Sequence, residues 1–353
     1  MDMKTAFANR KNEPSLSDRR ISPHPSLLID RFDRKLSYLR VSITDRCNLK
    51  CMYCTPPHTH IHWLSHREIL RYEEILRIIR IGVRMGISKV RITGGEPLVR
   101  KGVYDFLAEL NQIPGISDIS LTTNGVLLKD NLEKLKDAGI RRLNISLDTL
   151  SREKYRQITG MDAFGNVWEG IEKAHDLGFH PIKINTVAMK GVNDREFIDI
   201  ARISLSRPFH MRFIEYMPIG DAGQDRDRQM LAPEIMKLLS DVDDILPVEK
   251  DTRDGPAERY RFRKGMGEIG FIRPLSHHFC AQCNRLRLTA SGGLRPCLLS
   301  DRQIDIKTPL RNGAADNELE NVFLQAIRQK PLEHHLNEEQ GEKVKDIMSS
   351  IGG

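Results

Sequence analysis

The sequence predicts an α/β fold whose core is an incomplete (βα)6 TIM-like barrel. Short β-like runs alternate with helical patterns from Tyr38 onward, and such alternation produces a parallel sheet with right-handed crossovers. The unit repeats six times, two fewer than in the closed eight-stranded barrel. Polar side chains also recur on one face of these strands, which favours a barrel with a ligand-holding lumen. An open doubly wound sheet is the alternative architecture.

The chain begins with a polar segment, 1–35, that contains Pro14, Pro23 and Pro25 and shows no sustained hydrophobic period. Such a segment buries too little apolar surface to fold by itself, so we predict a flexible N-terminal extension. The remaining predicted units are a barrel over 36–250, a C-terminal region over 251–335 and a tail over 336–353.

Six strands are predicted, at 38–43, 89–93, 118–123, 141–147, 181–187 and 210–216. The helix after the first strand shows the helical pattern clearly, because Ile75, Leu76, Ile79 and Val83 recur at helical spacing. The other predicted helices cover about 103–111, 131–138, 166–177, 195–204 and 233–240.

Residue alternation within the strands predicts which face lines the lumen. Successive strand residues point to opposite faces, so Leu39 and Val41 pack against the helices while Arg40 shares the other face with Ser42. The same alternation places on this polar face Arg91 and Thr93, Ser120 and Thr122, Asn144 and Ser146, and Lys183 and Asn185. Burying a charged side chain is costly unless it is paired, so internal ion pairs or a bound anion must accompany these residues.

Composition restricts the class of protein. The 353 residues are 39% hydrophobic, no stretch approaches 18 apolar residues, and the charged N-terminus lacks the apolar region of a signal peptide. We therefore expect a cytoplasmic protein with no membrane span. The net charge is +7, but the basic residues are scattered among 48 acidic ones, so nucleic acid is only a weak candidate for a binding partner. A small polyanionic substrate fits this charge equally well.

Six cysteines in a cytoplasmic protein indicate metal ligands rather than disulfides. Cys47, Cys51 and Cys54 form a first set that follows the first strand, at the mouth where barrel active sites lie. A structural zinc site usually has four protein ligands, whereas three thiolates on a four-iron cluster leave one iron open. Spacing alone does not exclude zinc.

The first set and its surroundings resemble the radical S-adenosylmethionine (SAM) superfamily. C-x3-C-x2-C with Tyr53 before its third cysteine matches the family motif, and Gly94-Gly95-Glu96-Pro97 matches a second one. The resemblance implies that the open iron binds SAM and that an electron from the cluster cleaves it to methionine and a 5′-deoxyadenosyl radical. It also implies that carbonyls near Gly95 meet the methionine ammonium, while Tyr53 lies against the adenine.

The second set comprises Cys280, Cys283 and Cys297 and again supplies only three ligands. A structural zinc site that uses His277 or His278 as a fourth ligand is the alternative. The chain resembles the molybdenum cofactor biosynthesis protein A family, the GTP 3′,8-cyclases, over about 36–335 and at its last two positions. The matching segments are Arg91-Ile-Thr-Gly-Gly-Glu-Pro, Leu121-Thr-Thr-Asn-Gly, Asn144-Ile-Ser-Leu-Asp-Thr-Leu, Lys183-Ile-Asn, Phe213-Ile-Glu-Tyr-Met-Pro and Cys283-Asn-Arg-Leu-Arg.

This resemblance implies a lyase that converts GTP to (8S)-3′,8-cyclo-7,8-dihydroguanosine 5′-triphosphate, the first step of molybdenum cofactor synthesis. The second set would hold a second [4Fe-4S] cluster that binds guanine, and Ser146 and Met217 would complete the SAM pocket. Gly352 and Gly353 would enter the barrel near the chemistry. The residues implied to bind GTP are Arg40, Arg91, Thr122, Lys183, Arg285, Leu286 and Arg287. Arginine suits this role because its guanidinium binds phosphate oxygens bidentately.

The resemblance also implies partners: a flavodoxin-like or ferredoxin-like electron donor, the cyclic pyranopterin monophosphate synthase that takes the product, and possibly a second copy of the chain. Two other functions remain open at this point. A peptide-modifying radical SAM enzyme with an auxiliary cluster would lack the Asn284-Arg-Leu-Arg loop and the lumen arginines, both of which are present. A zinc-binding nucleic-acid module would explain the cysteines and the basic charge but not the six βα units.

Overall fold

The computed structural model places the predicted βα units around one sheet. It describes residues 27–55, 63–217, 219–220, 226–249, 255–334 and 344–352. The first six strands are parallel neighbours in chain order. They are Tyr38–Ser42 (β1), Lys89–Thr93 (β2), Asp118–Thr123 (β3), Arg142–Ser146 (β4), Ile182–Ala188 (β5) and His210–Glu215 (β6). The predicted partial barrel is confirmed, and every predicted strand lies within two residues of its observed position.

Seven helices accompany these strands in the described part of the chain: Tyr72–Arg84 (α1), Val103–Asn111 (α2), Leu132–Asp137 (α3), Arg152–Thr159 (α4), Phe164–Asp176 (α5), Phe197–Ser206 (α6) and Ala232–Ser240 (α7). The sequence pattern missed α4, a short helix that buries only Tyr155, Ile158 and Thr159. Three apolar or partly apolar residues in eight positions are too few to produce a clear helical period.

The C-terminal region extends the same sheet at both edges. Its strands are Ile245–Pro247 (β7), Glu258–Phe262 (β8), Glu268–Ile272 (β9), Arg285–Leu288 (β10), Gly293–Arg295 (β11) and Ile304–Asp305 (β12), and its helices are Lys307–Arg311 (α8), Asp316–Arg328 (α9) and Met348–Ile351 (α10). β9 pairs in parallel with β6, and β10 pairs in parallel with β1. Eight parallel strands therefore stand side by side, and the predicted region 251–335 is continuous with the barrel sheet.

The apolar core lies between the outer face of this sheet and the helices. Leu39, Val41, Val90 and Ile92 are fully buried there, as the residue alternation predicted. The opposite strand faces carry the polar residues into the lumen. This division of faces places the arginines and polar side chains of the lumen on strands, whereas the cysteines lie on the loops that connect them.

The N-terminal segment is more ordered than predicted where the structure describes it. Residues 1–26 of the predicted extension 1–35 lie outside the described residues. Leu28 is fully buried, and its backbone pairs with that of Leu36. Arg34 is also buried and donates to the carbonyls of Cys280 and Pro331. No helix in the described ranges is long and apolar enough to cross a bilayer.

Candidate active site

One large cavity runs through the lumen of the barrel and is lined by both cysteine sets. The first set follows the carboxyl end of β1, whereas Cys280 and Cys283 precede the amino end of the parallel strand β10, so the two sets line this cavity from opposite ends of the lumen. The predicted site residues that line it are Arg40, Cys47, Cys51, Tyr53, Cys54, Arg91, Gly95, Thr122, Ser146, Met217, Cys280, Cys283, Arg285, Arg287 and Cys297.

Three predicted residues that the structure describes do not line this cavity. Gly353 lies outside the described residues, and Gly352 lies against β1 and β2. Lys183 lines a second cavity, at the amino ends of β4, β5 and β6, together with Arg142 and His210. The side chain of Leu286 belongs to the apolar core and is fully buried. Since strand neighbours point to opposite faces, Leu286 must point away from the lumen that Arg285 and Arg287 face.

The first cysteine loop is held by the glycine segment that follows β2. The Gly95 amide donates to the Thr44 carbonyl at 2.7 Å, and the Glu96 amide donates to the Arg46 carbonyl at 2.8 Å. A Cβ atom on Gly95 would lie 2.4 Å from the Arg46 carbonyl oxygen, closer than a side chain tolerates. Residue 95 is therefore glycine because the loop leading to Cys47 crosses directly over it.

Glu96 joins the ends of β2 and β3 beneath this loop. Its buried carboxyl accepts hydrogen bonds from the amides of Leu98 and Asn124 and from the Thr123 hydroxyl. Burial raises the pKa of Glu96 to about 7 although these donors oppose the shift. The Asn124 side chain in turn donates to the Cys47 sulfur at 3.6 Å. Sequence reasoning did not single out Asn124, although it stands in the matched segment Leu121-Thr-Thr-Asn-Gly.

The first three thiols fit a cationic cofactor. Burial raises the pKa of Cys54 to about 12, and burial followed by the neighbouring Cys54 raises the pKa of Cys51 well above its ordinary value. The charges of Cys54 and Cys47 both oppose ionisation of Cys51, so three thiolates here would need a positive centre to balance them. Soft sulfur donors select iron–sulfur clusters or zinc, so the donor set is compatible with an iron–sulfur cluster.

Tyr53 lies beside Asp148, at the end of β4. The Tyr53 hydroxyl donates to Asp148 Oδ2 at 2.8 Å, and Asp148 Oδ1 accepts from the Val187 amide at 2.8 Å. Burial raises the pKa of Asp148 to about 6. Asp148 therefore fixes Tyr53 in place. Asp148 comes directly after a strand, in the segment Asn144-Ile-Ser-Leu-Asp, and this position is the sequence signal that could have identified it as a site residue.

The second cysteine set lies among cations. Burial alone would raise the pKa of the Cys283 thiol, but the charges of Arg285 and Lys330 lower it to about 6. His277, one of the residues considered as a fourth zinc ligand, is instead paired with Glu258 at 2.8 Å. Lys330 was not found from the sequence, since it stands in no matched segment.

The lumen combines buried cations with polar atoms that lack partners. Burial lowers the pKa of Arg287 to about 9, and burial followed by the nearby Arg287 lowers the pKa of Arg40 well below its ordinary value. Arg212, which the sequence analysis did not name, lines the same cavity and is buried. Among the described residues, neither Thr122 Oγ1 nor Asn185 Oδ1 has a hydrogen-bond partner, and both atoms are buried. Such an environment suits a polar, polyanionic ligand.

The last described residue of the tail reaches this cluster of arginines. The Gly352 carbonyl accepts from Arg40 Nη2 at 3.4 Å and from Arg287 Nη1 at 3.3 Å. Its φ of +76° is a left-handed conformation that favours glycine, and a Cβ atom there would lie 2.9 Å from the Ser42 Cβ. The fully buried Arg295 holds the tail through ion pairs with Asp346 and Asp301.

Two family models match successive parts of the chain. The Radical SAM superfamily model matches residues 41–203, and the Molybdenum Cofactor Synthesis C model matches residues 209–336. The boundary between the two matches falls just before β6, so the second model covers the strands that extend both edges of the sheet.

Curated proteins are similar over almost their whole length. The GTP 3′,8-cyclase of Pelotomaculum thermopropionicum is 47% identical over 326 residues, which cover 92% of this chain and 99% of that protein. The GTP 3′,8-cyclase of Moorella thermoacetica is 48% identical over 324 residues, with the same coverage of 92% and 99%. Among solved structures, SAM-bound SuiB of Streptococcus suis superposes with a TM-score of 0.60 at 16% identity, covering 87% of this chain and 69% of that one. That likeness concerns the fold.

Proposed function

Because the chain belongs to the GTP 3′,8-cyclase family within the radical SAM superfamily, we propose that its lumen binds GTP and that the enzyme joins ribose C3′ to guanine C8. The product would be (8S)-3′,8-cyclo-7,8-dihydroguanosine 5′-triphosphate, the starting compound of molybdenum cofactor synthesis. The observation that supports this assignment most is the single cavity in which two cysteine sets face a buried cluster of arginines.

Membership of the superfamily means that the enzyme uses SAM and an iron–sulfur cluster. Cys47, Cys51 and Cys54 would hold this cluster, which with SAM supplies the radical that removes a substrate hydrogen. The remaining SAM contacts would come from Tyr53, Gly95, Ser146 and Met217, all of which line the cavity. Asp148 keeps the Tyr53 ring in a fixed position through its hydroxyl.

The second cysteine set would hold a second four-iron cluster whose open iron binds guanine. Two features support this proposal: the three thiols line the same cavity as the first set, and positive side chains lie next to Cys283. His277 is paired with Glu258 and His278 with Glu333, which weakens the zinc alternative that requires a fourth histidine ligand.

The GTP triphosphate would lie among the lumen arginines, toward the amino ends of the strands. Arg40, Arg91, Arg285 and Arg287 surround the cavity, and the unpartnered Thr122 Oγ1 can donate to a phosphate or ribose oxygen. Lys183 is two strand positions below the cavity-lining Asn185, a step of about 7 Å that an extended triphosphate can cover. Leu286 can reach the nucleotide only through its backbone, because its side chain lies in the core.

The partners and location are part of the proposal. A flavodoxin-like or ferredoxin-like protein would supply electrons, and cyclic pyranopterin monophosphate synthase would receive the product. The cytoplasm, which contains GTP and keeps thiols reduced, is the compartment in which this chemistry fits. A second copy of the chain, in a homodimer, is the remaining proposed partner. The peptide-modifying alternative is disfavoured by the lumen arginines, which a peptide substrate does not require.

The test is an anaerobic reaction with reductant, SAM and GTP, in which the nucleotide product is identified by mass spectrometry and proton NMR. The proposal requires one 5′-deoxyadenosine for each cyclised nucleotide. The zinc alternative is tested in parallel by the iron and sulfide content of the anaerobically purified protein. Formation of 5′-deoxyadenosine without any change in GTP would contradict the proposed substrate.

A matched variant tests the proposed role of the tail. Removing Gly352 and Gly353 should spare both clusters and GTP affinity yet sharply lower the cyclised product, since a shift of about 1 Å in a reacting group can cost roughly 10²-fold in rate. Iron content and GTP affinity serve as the controls. A normal yield from the shortened chain would show that the tail has no part in the reaction.

A further inference from the structure

Two buried cations from opposite ends of the chain lie behind the second cysteine set. Lys330 follows α9 and is 2% exposed, and Arg34 precedes β1 and is 7% exposed. Burying an ammonium or a guanidinium is costly unless its donors are satisfied. Their hydrogen-bond partners therefore show what these two residues hold together.

Lys330 contacts both chain segments that carry the second set. Its Nζ donates to the Cys283 sulfur at 3.4 Å, to the Arg285 carbonyl at 2.8 Å and to the Pro296 carbonyl at 2.7 Å. An ammonium has three donor hydrogens, so these three contacts use all of them. Pro296 directly precedes Cys297, so one ammonium connects the Cys283 segment to the Cys297 segment.

Arg34 fastens the same assembly from the other side. Its Nη1 donates to the Cys280 carbonyl at 2.7 Å and to the Leu332 carbonyl at 3.0 Å, and its Nη2 donates to the Pro331 carbonyl at 2.6 Å. The guanidinium thus binds the carbonyl of Cys280, the cysteine that Lys330 does not reach, and the backbone that follows Lys330. Asp30 neutralises Arg34 through a 2.6 Å ion pair.

Lys330 and Arg34 differ in the groups that accept their hydrogen bonds. No carboxylate is among the hydrogen-bond partners described for Lys330, whereas the carboxylate of Asp30 is bound to Arg34. The positive charge of Lys330 is therefore directed at the Cys283 sulfur. Hydrogen bonds and positive charge at a ligating sulfur favour the reduced form of an iron–sulfur cluster, because reduction adds negative charge there.

We propose that Lys330 and Arg34 are positioning residues of the second cluster and that Lys330 also raises its reduction potential. The inference rests on the proposed function, in that it takes the second set to hold a four-iron cluster. Lys330 fixes the separation of Cys283 and Cys297, and Arg34 holds the Cys280 end of the loop. Reduction adds one electron, delivered by an external low-potential donor, and breaks no bond.

The experiment uses the full-length reconstituted holoenzyme and an anaerobic redox titration followed by electron paramagnetic resonance, which separates the two clusters. Lys330→Met removes the charge and the three donors at similar length, whereas Lys330→Arg keeps a charge. Lys134→Met, at an exposed lysine of α3, is the matched control. Arg34→Met removes the second support and leaves Lys330 in place.

In Lys330→Met, the reduced-to-oxidised ratio of the second cluster at a fixed potential should fall about tenfold, which for one electron is a shift of about 59 mV to lower potential. The first cluster should be unchanged, and Lys330→Arg should restore most of the ratio. Arg34→Met should lower the iron bound by the second set without moving its potential. If Lys330→Met lowers occupancy so far that no signal remains, loss confined to the second set supports the positioning role.

Two results would overturn the inference. One is a second cluster with normal occupancy and potential in both methionine variants. The other is an equal loss of both clusters, which would indicate general misfolding rather than a local role. A wild-type protein with only one cluster would instead refute the proposed function, so the two failures are distinguishable.

Discussion

Gly95→Ala should disturb the first cluster although it changes no cofactor ligand. The added Cβ atom would lie 2.4 Å from the Arg46 carbonyl oxygen and 2.6 Å from the Asp45 carbonyl oxygen. Both neighbours are backbone atoms, so they cannot rotate away as a flexible side chain could. The loop that leads to Cys47 must move instead.

The size of this movement follows from the contact distances. Real Cβ contacts essentially never fall below 3.0 Å, so the loop must shift by at least about 0.6 Å, the difference between 3.0 and 2.4 Å. A misplacement of 1 Å can cost roughly 10²-fold in rate, so about tenfold or more should be lost here. Overpacking of this kind also costs about 1–3 kcal/mol of stability.

The assay compares Gly95→Ala with Gly165→Ala, measuring iron content, 5′-deoxyadenosine formation and thermal unfolding. Gly165 lies in α5 with nothing within 4 Å of its added Cβ, so alanine there should be neutral or slightly stabilising. GTP affinity should be the same in both variants. If Gly95→Ala cleaves SAM at the wild-type rate, the close approach of the cysteine loop is not the reason that position 95 requires glycine.

Three further outcomes are expected. Burial and the nearby Arg212 lower the pKa of Lys183 to about 6, so it is neutral in the free enzyme at pH 8, whereas an unfolded lysine is charged there. GTP binding should therefore be accompanied by uptake of a proton at Lys183 between about pH 6 and 10, which calorimetry in buffers of different ionisation enthalpy measures. Lys183→Met should abolish this uptake. Equal proton uptake in the variant would contradict the assignment to Lys183. Arg287→Ala should weaken GTP binding by about 1.5–3 kcal/mol, and unchanged affinity would remove Arg287 from the substrate site. Cys54→Ser should abolish 5′-deoxyadenosine formation while Cys297→Ser retains some uncoupled SAM cleavage, and identical behaviour of the two would refute separate roles for the two sets.

Local patterns predicted the barrel because each strand carries its own signal. Alternation of apolar and polar residues predicts that Arg40 and Arg91 face the lumen, and both line the cavity. The same alternation could have shown that Leu286 points into the core. A strand of only four residues directly after a cysteine loop, as at Arg285–Leu288, has too short a pattern to be distinguished from that loop.

Long-range features had no local signal. The pairing of β10 with β1 depends on segments far apart in the chain, and a strand of four residues is too short to identify its partner. Lys330 and Arg34 are single basic residues in polar surroundings, so only the folded structure shows that they meet the second cysteine set. The N-terminal composition likewise suggested an extension over 1–35, whereas Leu28 and Arg34 are buried.

The pairing of β1 with β10 has a consequence for synthesis of the protein. Its partner β10 is made about 250 residues later, which at typical translation rates is a delay of roughly 10–50 s. During that interval the barrel has its parallel strands but an unpaired edge, and unpaired edges are templates for association with other chains. Nascent or truncated chains that end before β10 should therefore need chaperone protection and should aggregate readily. The same separation in sequence predicts slow folding after release, because loop-closure entropy must be overcome before this contact forms.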